Sequence, residues 1–161
     1  MADTEFVVEP GRQDVVMTRV FDAPRDVVFR AVTDPDLIPS WWGPRFLTTR
    51  VDRMEVRPGG LWRFVNTDAR GGEYGFRGVY HDVLAPERIV RTWEFEGAPD
   101  DVALETVTLE DLGGRTRYVA RSVHPTVEAR DAVIRGGGPE GGRQSMDRLA
   151  DLLATLGRPP A

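Results

Sequence analysis

The chain contains neither cysteine nor lysine, and only two histidines among its 161 residues. Without cysteine there is no disulfide, no thiolate nucleophile and no cysteine metal site, which fits a reducing compartment and makes the cytoplasm the expected location. Without lysine, Schiff-base chemistry and a lysine nucleophile are excluded. All 21 cationic side chains are arginines, dispersed without a basic run in a chain of net charge -5. A phosphate-tracking surface is therefore not expected, because nucleic-acid affinity draws on clustered cations. No stretch approaches the roughly 18 apolar residues of a membrane span, and the N-terminus lacks the charged start and apolar run of a signal peptide. His81 and His124, with scattered carboxylates, fall short of a convergent metal ligand set. No metal and no cofactor is expected, and neither nucleic acid nor membrane is an expected partner.

What is present is one domain's length of chain with a conspicuous stretch, APRDVVFRAVTDPDLIPSWWGP, from Ala23 to Pro44. Its adjacent tryptophans, Trp41 and Trp42, each bury on the order of 150–250 Å² when packed, so they mark a wall of the interior. Upstream, Asp14 to Phe21 is short, β-branched and preceded by Pro10-Gly11, the pattern of a strand. Pro24 suits a first helical position, Asp26 the positive end of the helix dipole, and Val27, Val28, Ala31 and Val32 form an apolar stripe. Thr33-Asp34-Pro35 ends this helix, and Pro39 turns the next short helical piece toward irregular or 3₁₀ geometry.

From about Phe46 to His124 the chain alternates extended segments with turn signals, as in an antiparallel meander. The segments are Leu47 to Val56, Leu61 to Asn66, Glu73 to Val83, Arg88 to Phe95, Ala103 to Glu110 and Arg115 to His124. Beyond Pro125 the helical period returns, with a short helix over Thr126 to Ile134, a break at Gly136-Gly137-Gly138, and a longer helix from Pro139 to Leu156. Met146, Leu149, Ala150 and Leu153 form the apolar stripe of that helix, widened by Leu152 and Leu156. The terminal GRPPA reads as frayed. This order of elements predicts an α+β layer in which a curved antiparallel sheet wraps the last helix.

Alternate residues of a strand point to opposite faces. Tyr74, Phe76, Gly78 and Tyr80 then share the inner face, with Trp62 and Phe64, Trp93 and Phe95, and Tyr118, Ala120, Ser122 and His124. Glu55, Glu73 and Glu94 alternate with Arg53, Arg77 and Arg91 on the expected outer face, where cross-strand ion pairs account for them. His124, beside Pro125 at a strand end, is expected at an exposed edge. The paired and triple glycines have neither the lysine nor the spacing of a phosphate loop and read as turns. Those before the last helix can also act as a gate.

Four ordered motifs, FDAPRDVVFRAVTDPDLIPSWWGP, VRPGGLWRF, GVYHDVLAPERIVRTW and GGRQSMDRLADLLA, resemble the activator-of-heat-shock-ATPase-like family of the START-like superfamily. The resemblance spans about Asp14 to Leu156. It implies a helix-grip fold, in which sheet and C-terminal helix enclose a hydrophobic cavity open to solvent. Candidate cavity residues are Trp41, Trp42, Trp62, Phe64, Tyr74, Phe76, Tyr80, Trp93, Tyr118 and Ser122, with Met146 and Leu149 from the helix. The favoured function is binding of a small, largely apolar molecule such as a lipid, polyketide or aromatic metabolite. A cyclase, dehydratase or hydrolase of the wider superfamily is the alternative, with Tyr80, His124 and Glu105 as candidate acid–base groups. No constellation in the sequence singles out a catalytic residue. A co-chaperone stimulating a heat-shock ATPase is the third reading; the chain would correspond to one domain of the eukaryotic activator, without a preceding client-facing domain. Exposed sheet edges make a homodimer plausible.

Overall fold

A computed structural model describes residues 3–157. Its elements, in chain order, are β1 (Glu5–Val7), β2 (Asp14–Phe21), α1 (Arg25–Thr33), a 3₁₀ turn (Ile38–Ser40), β3 (Thr48–Met54), β4 (Leu61–Thr67), β5 (Glu73–Leu84), β6 (Arg88–Phe95), β7 (Ala103–Asp111), β8 (Thr116–Val123), α2 (Val127–Arg135) and α3 (Gly138–Leu156). The strands form one eight-stranded antiparallel sheet in the order β1-β2-β8-β7-β6-β5-β4-β3. The first long strand thus joins the last, with Asp14 opposite Val123 and Phe21 opposite Thr116. β1 was not expected from its three residues; it exists by pairing with β2 at the sheet edge. Of the GRPPA tail, residues 158–161 lie outside the described residues.

Local chemistry sets the helix ends. Pro24 is the capping residue of α1 rather than its first helical residue, and its carbonyl accepts from the amides of Val27 and Val28 at 3.0 and 3.1 Å. Thr126 caps α2 through its hydroxyl, which accepts from the Ala129 amide at 3.0 Å. Gly137, with φ 87°, lets the chain turn left-handed between α2 and α3, a conformation that costs glycine little.

The core lies between the concave face of the sheet and helices α1 and α3. Val28 and Ala31 of α1, Leu149, Met146 and Leu153 of α3, and Trp62, Phe64 and Tyr80 of the sheet are all buried in one cluster. Close approach is tightest at Gly78, opposite Trp62. A Cβ there would fall on the Thr92 carbonyl and 2.6 Å from the Trp62 indole nitrogen. The Trp62 indole donates to that carbonyl at 3.1 Å.

The cross-strand ion pair of Arg77 with Glu94 lies where the alternation placed it, while Glu73 pairs with Arg50 and Glu55 with Arg53, two residues before it in the chain. Arg91 is a correction. It shares the parity of Trp93 and Phe95 and therefore turns inward, lying on the wall of a cavity instead of the outer face. Arg130, too, is almost fully buried, donating to the carbonyls of Asp14 and Glu9 and so tying α2 to the segment before and at the start of β2.

Candidate functional site

The loop after the 3₁₀ turn carries both tryptophans and is gripped by α3. Arg148 donates to the carbonyls of Gly43 and Pro39 at 2.9 and 3.2 Å, the Ser145 hydroxyl accepts from the Gly43 amide at 2.8 Å, and Gln144 accepts from the Arg45 amide at 2.9 Å. On the other side the Thr49 hydroxyl lies 2.7 Å from the Trp42 carbonyl. Gly43 holds φ 94° in this clamp. Trp41 is buried and its indole donates to the Ala31 carbonyl at 3.0 Å, anchoring the loop to the end of α1. Trp42 instead stacks edge-on against Phe64 and Phe76, each at 5.1 Å between ring centroids.

These elements bound a cavity of about 780 Å³ between the sheet, the tryptophan loop and the first turns of α3. That volume lies within the range of about 300–1,000 Å³ typical of small-molecule sites. Aromatic and aliphatic side chains dominate its wall. Gly136 to Gly138, Gly141 and Gly142 line one side, and a Cβ on Gly137 or Gly141 would meet nothing, so their lack of side chains leaves the space open. Phe46, which is 73% exposed, lies on the wall next to Pro44 and Leu47.

The candidate residues divide. Trp41, Trp42, Tyr74, Phe76, Trp93, Tyr118, Ser122 and Met146 lie on the cavity wall. Trp62, Phe64, Tyr80 and Leu149 do not: each is packed in the core, with Phe64 and Tyr80 facing only a separate void of about 20 Å³. Sheet curvature is the reason, since inward-facing residues near the centre of the wrapped helix are sealed by it and only those toward its N-terminal end reach open space. Tyr74 is 39% exposed, and its hydroxyl donates to Asp68 at 2.9 Å.

The polar part of the wall follows the strand register. Arg91 on β6 pairs with Glu105 on β7, which pairs with Ser122 on β8. Arg91 Nε donates to Glu105 Oε1 at 3.0 Å, and its guanidinium lies 4.2 Å from the Trp62 ring centroid. Burial, the largest single influence, would weaken the Arg91 cation; the charge of Glu105, the neighbouring Tyr80 and Tyr118 phenols and the hydrogen bond to Glu105 together outweigh it, and its pKa rises above the ordinary arginine value. Burial pushes the Tyr80 and Tyr118 phenols upward, so both stay neutral at physiological pH. Glu105 was named from sequence among possible acid–base groups; Arg91 was missed, although Trp93 and Phe95 on the same parity carried the signal.

His124 is a second correction. It is 4% exposed instead of lying at an open edge, because the Gly97 to Asp101 loop folds over the strand end and places Asp101 Oδ1 2.9 Å from its Nδ1. Gln13 brackets the same residue, its carbonyl accepting from the His124 amide at 2.8 Å. Both members of this dyad lie on the cavity wall. Among the described residues no group of three or more metal-ligating side chains converges, and no helix is long and apolar enough to cross a membrane.

A curved antiparallel sheet gripping a long C-terminal helix, with a cavity between them, defines a helix-grip protein. The family model described as Activator of Hsp90 ATPase homolog 1-like protein matches residues 22–154, and the chain belongs to that family. A crystal structure of a protein from Rhodobacter sphaeroides superimposes with a TM-score of 0.88 at 26% identity, covering 96% of this chain and 99% of the other. A solution structure of a protein from Arthrobacter aurescens gives 0.87 at 22% identity, covering 94% and 91%. The AHSA1 protein from Silicibacter pomeroyi gives 0.74 at 24% identity, covering 89% and 99%. No curated protein matches the chain.

Proposed function

We propose that this protein binds a small, largely apolar molecule, such as a lipid, polyketide or aromatic metabolite, in the cavity between the sheet and α3. The carrying observation is the cavity of about 780 Å³, walled mainly by aromatic and aliphatic side chains, opened on one side by glycines and furnished with a few polar groups. Burying aromatic surface supplies affinity, and isolated polar groups fix orientation.

Native mass spectrometry of gently purified protein, followed by thermal shift against diverse hydrophobic metabolites, tests this reading. A ligand at 100 times its Kd stabilises the folded state by about 2.7 kcal/mol and raises the melting point accordingly. Phe46→Asp, at an exposed position on the wall, is expected to weaken that ligand severalfold while leaving the melting point of the free protein unchanged. A library without a single stabilising compound overturns the reading.

Acid–base chemistry on the bound molecule is a second reading, favoured by the His124–Asp101 dyad on the same wall. A carboxylate on Nδ1 orients an imidazole for proton transfer through its other nitrogen. Conversion of a stabilising compound, followed by mass spectrometry and lost in His124→Gln, would support it; an unchanged compound after prolonged incubation would remove it.

A further inference from the structure

We propose that Glu105 sets the ligand class of this cavity: by occupying Arg91 it makes the site select uncharged aromatic molecules with a hydrogen-bonding head and reject carboxylates and sulfonates. The inference rests on the cavity reading above and specifies its ligand.

An arginine on the wall of an apolar cavity would ordinarily be an anion trap, since its guanidinium recognises carboxylates through paired donors. Here the pairing is already made, and made incompletely. Only Nε of Arg91 bonds Glu105, through Oε1. The guanidinium also lies beside the buried Tyr80 hydroxyl and favours its ionised form; the two terminal nitrogens of Arg91 and the second oxygen of Glu105 make no further well-aligned hydrogen bond among the described residues, and none of the three is a sealed, unpartnered atom. The side chains of the pair are 13% and 18% exposed. Donors and an acceptor therefore stand side by side at the cavity wall with their charges cancelled. Ser122, next in register, and the neutral Tyr118 phenol lie on the same wall.

The wider electrostatics point the same way. Arg91 is the only arginine on the wall among the described residues, against three carboxylates, Asp68, Asp101 and Glu105. Asp101 is engaged with His124, and Asp68 with Tyr74 and the amides of Arg70 and Gly72. An entering anion would meet a net negative wall and would have to displace Glu105 to reach Arg91, leaving a carboxylate buried without its cation. That cost is large. A phenol or a hydroxyl beside a carbonyl instead accepts from Arg91 and donates to Glu105 without adding charge, and an aryl amine donates its N–H to Glu105.

Two fluorescent probes with one skeleton test this: N-phenyl-1-naphthylamine, which is neutral, and its sulfonate, 8-anilino-1-naphthalenesulfonate. The wild type is expected to bind the neutral probe at least about tenfold more tightly than the sulfonate. Glu105→Gln keeps the shape of the side chain, frees the cation, and is expected to tighten the sulfonate by about tenfold while changing the neutral probe by less than about threefold. Glu105→Ala carries the same expectation should the glutamine variant fold poorly. The double variant Arg91→Met with Glu105→Leu is expected to retain the neutral probe and gain nothing for the sulfonate. If the neutral probe binds but neither Glu105 variant tightens the sulfonate, the inference is overturned and the cavity reading stands. Sulfonate tightening that persists in the double variant also overturns it. If neither probe binds the wild type, the cavity reading itself fails and takes the inference with it.

Discussion

Arg148 of α3 donates to the carbonyl of Gly43 at 2.9 Å and so fastens the tryptophan loop to the C-terminal helix. The same guanidinium reaches the Pro39 carbonyl, and burial lowers its pKa from the ordinary arginine value without making it neutral. One side chain thereby satisfies carbonyls at both ends of the segment that carries Trp41 and Trp42, while the Gly43 and Arg45 amides are met by Ser145 and Gln144.

Replacing Arg148 with methionine keeps the apolar stem and removes the donors. A hydrogen bond to a charged group contributes about 1.5–3 kcal/mol net. Arg148→Met is therefore expected to cost about 2 kcal/mol, a fall of roughly 4–8 °C in melting temperature. Hydrogen exchange should accelerate at the Gly43 and Arg45 amides and remain slow in β7 and β8. An unchanged melting point would mean that the loop is held by the buried Trp41 alone.

Gly78 makes room for the Trp62 indole and for β6. Gly78→Ala would force the Cβ against the Thr92 carbonyl, separate β5 from β6 and break the Trp62 bond to that carbonyl. Overpacking of this kind costs about 1–3 kcal/mol, and the upper end is expected here because the obstacle is backbone. Gly141→Ala is the matched control: its Cβ meets nothing, and a helical Gly-to-Ala change stabilises by about 0.5–1 kcal/mol. Urea denaturation of both variants should give opposite signs.

Asp14 accepts from Arg12 at 2.8 Å and from Arg121 at 3.0 Å. Those two hydrogen bonds hold its carboxyl well below the usual carboxylate range. A pKa depressed in the folded state contributes stability that is fully present above the unfolded value, near 3.9, and is lost as pH falls through the folded value. The wild type should accordingly melt higher than Asp14→Asn at pH 7, and the difference should shrink as the pH is taken below about 4. A difference independent of pH over that interval would show that the asparagine disturbs packing instead of charge.

The strand meander, the proline-marked helix starts and the apolar stripe of α3 were legible because each is written in neighbouring residues. Period-2 and period-3.6 alternation, and the break at Gly136-Gly137, depend on local backbone geometry alone, whereas Gly138, expected in that break, is the first residue of α3. β1 escaped because Glu5–Val7 owes its structure to a partner, not to its own pattern. Arg91 was legible in principle, sharing parity with Trp93 and Phe95, but sorting by charge placed it outside.

What the amino-acid sequence determined by itself is the α+β layering, the membership of the helix-grip class and the supply of aromatic residues for an interior. Only the tertiary structure decided which of those residues face a cavity and which fill the core. Trp62, Phe64, Tyr80 and Leu149 carry the same local signal as Phe76, Trp93 and Met146, and they differ in being covered by α1, the 3₁₀ turn and α3. The pairing of Arg91 with Glu105 and of His124 with Asp101 likewise arises between strands and loops distant in sequence, where register and loop closure set the distances that no local pattern encodes.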